Sequence, residues 1–128
     1  MHSHIYVRLG NISILYKSKF IKIKKHPYYI ALKTKNKELY ENFIFNLNNR
    51  QIKKPSGNWE GLQSLLTSIK KDGFDIYNGS FRLVSNNDKI YSRHGRHRLC
   101  ILLYLYGSKL KLKLRKHKDY CKIIKLIN

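Results

Sequence analysis

Apolar and polar positions change rhythm several times along the chain. Ile5 to Leu9 and Ile12 to Tyr16 are short β-favouring runs, and the Gly10-Asn11 pair between them readily takes positive φ, so the pattern predicts a hairpin. Phe20-Ile21-Lys22-Ile23-Lys24 alternates apolar with basic, as a strand with one buried face and an outward lysine row would, and His26-Pro27 ends it. From Lys35 to Asn48 the spacing of Leu39, Tyr40, Phe43, Ile44 and Leu47 is helical, and the polar stretch from Asn48 to Gly57, with Pro55, reads as a linker.

A second helix follows, capped by Asn58, with Trp59, Leu62, Leu65, Leu66 and Ile69 on one face and Gly73 at its C-terminal end. Phe81 to Val84 and Lys89 to Tyr91 read as strands around the turn formers Ser85 to Asp88. The run Leu99 to Leu105, closed by Gly107, is apolar on nearly every side, which predicts a buried helix. Lys109 to Arg115 then alternates strictly, with Leu110, Leu112 and Leu114 inward and Lys109, Lys111, Lys113 and Arg115 outward. The tail, Tyr120 to Ile127, fits a strand or a helix. Strands and helices interleaved in this way predict an α+β fold, a small mixed sheet packed with helices, in one domain spanning residues 1–128.

Charge changes the picture. Against 7 Asp and Glu stand 27 Lys and Arg, a formal net charge of +20 that points to an anionic partner: an acidic substrate or phosphorylated small molecule, a nucleotide, a nucleic acid or a lipid head group. Lysine outnumbers arginine 20 to 7, and the abundance of Lys, Asn, Ile and Tyr is also what an AT-rich genome produces, so lysine content alone does not separate function from base composition. The lysine rows Lys22 and Lys24, and Lys109, Lys111 and Lys113, are the candidates for tracking a nucleic-acid backbone. Cys100 and Cys121 fit no metal spacing, so a reduced cytoplasmic protein without a metal site is expected. The longest apolar stretch, Leu99 to Tyr106, is far short of the ~20 residues a membrane span needs.

The segment with most chemical content is His94-Gly95-Arg96-His97-Arg98, set between a strand and the buried helix. A helix N-terminus offers unpaired N–H groups, Gly95 permits close backbone approach, and the Arg98 fork can grip two oxygens, so the arrangement suits a phosphate. The plainer reading is a strand-to-helix turn that happens to be basic. Imidazole as a group titrates near neutrality, so His94 and His97 could act as acid and base, although orienting the loop or binding phosphate is the simpler role for His97. Glu60 and Asp72 read as capping or solvent contacts, Trp59 as core, and His26 with Tyr28 and Tyr29 as a packed turn or a stacking surface for bases.

The order Trp59-Glu60-Gly61-Leu62, Ser68 to Phe74, Phe81 to Val84, Lys89 to Tyr91, Gly95-Arg96-His97-Arg98-Leu99, Tyr106-Gly107 and Lys109 to Leu114 resembles the ParB/sulfiredoxin-like superfamily, which includes ParB-like nuclease domains. The resemblance covers roughly residues 59–115 and leaves residues 1–58 as an N-terminal extension. It implies a nucleotide or phosphorylated ligand held at Gly95, Arg96, His97 and Arg98, with a nucleoside triphosphate (ATP or CTP) and Mg as the expected cofactors. It also implies phosphoryl-transfer, hydrolase or nuclease chemistry, in which His97 and Arg98 would be the catalytic residues. Two departures bear on that. His94 stands where many relatives carry an acidic residue, and Arg96 stands where sulfiredoxin chemistry would place its cysteine. The alternative is a basic nucleic-acid-binding or nuclease-like module without nucleotide turnover, and a third reading is a basic accessory protein with no site.

Overall fold

The structure, a computed structural model, describes residues 3–48, 59–72, 83–86, 89–92 and 96–127. Among the described residues, four helices and a seven-stranded mixed sheet make an α+β fold. The strands are β1 (Ser3–Arg8), β2 (Ser13–Tyr16), β3 (Lys19–Lys22), β4 (Leu83–Asn86), β5 (Lys89–Ser92), β6 (Lys111–Lys116) and β7 (Tyr120–Ile127), in the spatial order β1-β6-β7-β4-β5-β2-β3. All neighbouring pairs are antiparallel except β2 and β5, which run parallel.

That order forces the sheet to curl. In a flat sheet β1 and β2 would lie five strand spacings apart, about 24 Å. Yet the five steps from Arg8 to Ser13 can span at most about 17 Å even when fully extended, and part of that link is a 3₁₀ turn at Leu9–Asn11. The two edges of the sheet must therefore approach each other at this end. The 3₁₀ turn is pinned there by Leu9 N–H donating to the Leu110 carbonyl at 2.7 Å and Gly10 N–H to the Ser108 carbonyl at 3.0 Å. Gly10 is required for the approach, because a Cβ at that position would lie 2.8 Å from the Ser108 Cβ.

The predicted hairpin across Gly10-Asn11 is thus corrected: β1 pairs with β6, while β2 pairs with β3 and β5. The hairpin that does form joins β2 to β3, and its turn residues Lys17 and Ser18 have φ of 48° and 66°. Two consecutive positive φ values give the twist a two-residue hairpin wants, but Lys-Ser carries no glycine or asparagine to announce it. The strand expected through Lys24 stops at Lys22, and Ile23–Lys25 form a second 3₁₀ turn.

The helices are α1 (Pro27–Thr34), α2 (Lys37–Asn48), α3 (Trp59–Asp72) and α4 (Arg96–Tyr106). The sequence reading lacks α1, since His26-Pro27 reads as a terminator. Here the pair starts a helix: the His26 Nδ1 accepts the Tyr28 N–H at 3.1 Å and Pro27 occupies the first turn, where its missing N–H costs nothing. Lys35, at φ 55°, ends α1 just before α2 begins. Asn58 and Gly73, expected to bracket α3, lie outside the described residues, as do the side chains of Ile44 and Leu47. The first N–H of α3, from Trp59, is met by the Glu41 carboxylate of α2 at 3.2 Å, and Lys37 of α2 pairs with Glu60 of α3 at the same distance.

Buried strand residues share one face. Ile14, Leu83, Ile90, Leu112, Leu114, Cys121 and Ile123 point inward, onto α4, whose Leu99 to Leu103 are all buried. α1, α3 and the two 3₁₀ turns pack on α4, which shares one buried core with the inward sheet residues, so the all-round apolar character of α4 follows from its central place. The alternation predicted for β6 holds: Leu110, Leu112 and Leu114 are buried, Lys109, Lys111 and Arg115 exposed, and Lys113 half-buried. The tail is a strand, β7.

Candidate functional site

The two ends of α4, about 15 Å apart for an eleven-residue helix, carry different chemistry. Gly95 and His94 lie outside the described residues, and Arg96 is the first residue of α4. His97 turns into a cluster of rings. It stacks on Tyr28 with centroids 4.2 Å apart and an interplanar angle of 23°, and its Nε2 lies 2.8 Å from the Tyr40 hydroxyl. Tyr28, Tyr40 and His26 are fully buried, and Tyr16 and Phe43 complete the packing around His26.

Burial pushes the Tyr40 hydroxyl well above the usual phenol range, with the neighbouring Tyr28 adding to the shift, so Tyr40 keeps its proton. A His97 ring protonated on Nδ1 accepts from Tyr40, and one protonated on Nε2 donates to it. In either tautomer Nε2 is committed to Tyr40. Arg98 is half-buried on the first turn of α4. The rings of His26 and Tyr28 pack inward, which leaves no face for a base to stack on, and Tyr29 is half-buried. Glu60, exposed and paired with Lys37, has its carboxyl held below the usual range by a backbone N–H and by that lysine. Among the described residues no group of three or more His, Cys, Asp or Glu gathers where a metal ion could sit, and no helix is long and apolar enough to cross a membrane.

The other face of the sheet is where charge accumulates. The seven strands hold ten Lys and Arg and no Asp or Glu. Pairing fixes which of these share the outer face: Arg8 on β1, Lys22 on β3, Lys89 on β5, Lys111, Lys113 and Arg115 on β6, and Lys122 and Lys125 on β7. Three of the cross-strand partners are like-charged: Arg8 faces Lys111, Lys113 faces Lys125, and Arg115 faces Lys122. Like charges directly opposite each other oppose folding, by roughly the 0.2–1 kcal/mol that an opposite pair would contribute. Of the described acidic residues, Glu38, Glu41, Glu60 and Asp72 sit on α2 and α3, and Asp119 lies in the turn between β6 and β7.

The register of β7 explains why Lys125 belongs to this face. Lys122 and Lys125 are three apart, so a regular strand would send one of them into the core. Ile123 pairs with Leu114 and Lys125 with Lys113, leaving Ile124 as the extra residue of a bulge that restores the outward direction.

Where the two sheet edges approach, a cleft of about 320 Å³ is lined by Arg8, Gly10, Asn11, Lys22, Ile23, Lys24, Leu103, Ser108 and Lys109. It joins both predicted lysine rows. Lys22, Lys24 and Lys109 meet in the cleft, Lys111 and Lys113 continue onto the outer face, and Arg8 links the two regions. The C-terminal end of α4 also borders this cleft and carries about half a negative charge, but four cationic side chains outweigh it. Its closing turn further consumes carbonyls, with Gly107 N–H donating to Leu103 at 2.9 Å.

Sequence reasoning missed Arg8, Lys89, Arg115, Lys122 and Lys125 as site residues, and it missed the aromatics of the same face. Tyr6, two residues from Arg8, is 60% exposed with the Lys113 ammonium 6.0 Å from its ring centre. Phe20, two residues from Lys22, is 47% exposed and lies against Tyr91, with ring centroids 4.3 Å apart. The alternation of Ile5 and Val7 with Tyr6 and Arg8 was the available signal. No family model matches the chain, and searches of curated proteins and of solved structures returned no match.

Proposed function

We propose that this chain is a basic nucleic-acid-binding module that grips the phosphate backbone with the outer face of its curled sheet. The observation that carries the reading is the three like-charged cross-strand pairs on a surface whose strands contain no carboxylate. An AT-rich genome supplies lysines, but it does not select against the glutamates that would relieve such pairs. A surface that retains a destabilising arrangement does so for a partner, and a polyanion removes the repulsion when it binds. Release of condensed counterions by each neutralised phosphate then supplies the driving force.

The reading needs no turnover. Phosphoryl-transfer or nuclease chemistry at His97 and Arg98, with ATP or CTP and Mg, rests on the ParB/sulfiredoxin-like resemblance, and the engagement of His97 Nε2 with Tyr40 favours a positioning role for that ring. A cytoplasmic site of action suits the two buried thiols, Cys100 and Cys121. Equilibrium binding to short homopolymer and mixed oligonucleotides tests the proposal. Affinity should be nearly indifferent to sequence and fall steeply from low to physiological salt, and an absence of binding at low salt would refute it.

A further inference from the structure

The chemistry flanking the cleft narrows the class of nucleic acid. β1 and β3 sit at opposite edges of the sheet, yet both run toward the cleft, where their last residues, Arg8 and Lys22, line the same space. Two residues back along each strand, on the same outer face and about 7 Å away, stands an exposed ring: Tyr6 on β1 and Phe20 on β3. The order across the seam is therefore aromatic, cation, cleft, cation, aromatic. Phe20 does not stand alone, because Tyr91 on β5 supports one side of it, and Tyr6 lies beneath the Lys113 ammonium.

Exposed rings cost something in water and contribute nothing to a duplex backbone contact, since the faces of paired bases are already stacked on one another. Unpaired bases have free faces, and an aromatic side chain beside a cationic groove is the surface they stack on. Resting on the nucleic-acid reading above, we infer that the occupant is a single strand of DNA or RNA, with a phosphate seated in the cleft among Arg8, Lys22, Lys24 and Lys109 and bases stacked on Phe20 and Tyr6. Gly10, Asn11 and Ser108 contribute the small polar floor of the seat.

The test compares four probes at low salt: a single-stranded DNA, an RNA, a duplex of equal length, and a strand of the same phosphate count made of abasic units. The wild-type chain should bind the DNA or the RNA strand, or both, more tightly than the duplex and the abasic strand. Phe20→Ala and Tyr6→Ala should each weaken single-strand binding by about 5- to 150-fold, the range that one stacked base provides, while leaving abasic binding unchanged. Phe20→Trp should keep wild-type affinity. Both rings are exposed, so unchanged thermal melting is the check that the fold survives. Equal affinity for the normal and abasic strands, or alanine variants that bind like wild type, would overturn the inference and leave backbone binding standing. Binding to none of the four probes overturns both, as does binding to vesicles of anionic phospholipid in its place.

Discussion

At the scale of single residues, Tyr40 separates structure from function and Gly10 joins them. Tyr40 and His97 form a hydrogen-bonded pair inside the ring cluster between α1, α2 and α4, and the cluster reads as a structural joint. Tyr40→Phe removes that hydroxyl and should cost about 1–3 kcal/mol, the range for stranding a polar group in a poorly hydrated site. Urea denaturation gives the loss directly, and affinity for an oligonucleotide should stay unchanged. A variant with full stability and lost binding would instead make the cluster a ligand site. Gly10 is the second position. A methyl group there meets the fixed Cβ of Ser108 at 2.8 Å and the Ser108 carbonyl at 3.2 Å, so the 3₁₀ turn has to move. Gly10→Ala should therefore cost about 1–3 kcal/mol and weaken binding too, because Arg8, Asn11 and Ser108 all line the cleft that the turn closes.

At the scale of elements, the sheet holds a conflict that a substitution can resolve. Lys113 faces Lys125 and Arg115 faces Lys122, and each pair subtracts from stability what an ion pair would add. Lys113→Glu and Arg115→Glu, together, should raise the melting temperature while sharply lowering affinity for nucleic acid. Opposed signs in the two measurements are what a trade between stability and function produces. A charge reversal that lowers both would mean that β6 tolerates its lysines for reasons of packing.

The same scale shows what could be read from the chain. β6 and α3 were legible because their periods are clean over six and fourteen residues. β7 was not, because its bulge at Ile124 turns a period of two into the three-residue spacing of Lys122 and Lys125. The β2–β3 turn hid behind Lys17-Ser18, and α1 behind a His-Pro pair that starts a helix as well as it ends a strand. Gly10-Asn11 misled in the other direction. Its glycine serves a close approach between chain segments far apart in sequence, which no local pattern displays. The lysine rows were visible as rows, but their meeting in one cleft depends on a curl set by strand order. The Gly95 end of the box lies outside the described residues, and only His97 and Arg98 of that motif have described side chains.

At the scale of the whole molecule, charge is divided between two surfaces. Cations crowd the outer face of the sheet, and the described glutamates lie on the helices α2 and α3; Lys33 of α1 and Lys70 and Lys71 of α3 are exposed on helices as well. A protein basic only through genome composition would attract polyanions over its whole surface, in proportion to net charge. One that uses the sheet would not. Two triple variants, Lys111→Ala with Arg115→Ala and Lys122→Ala, and Lys33→Ala with Lys70→Ala and Lys71→Ala, remove three positive charges each, one set from either side. The decisive measurement is the salt dependence of oligonucleotide affinity for both variants beside the wild type. On this account the sheet variant binds more weakly and its logarithmic salt slope becomes shallower by about 2, at roughly 0.7 for each lost single-strand phosphate contact, while the helix variant keeps the wild-type slope. Equal losses in the two variants, or no binding by the wild type at low salt, would contradict it.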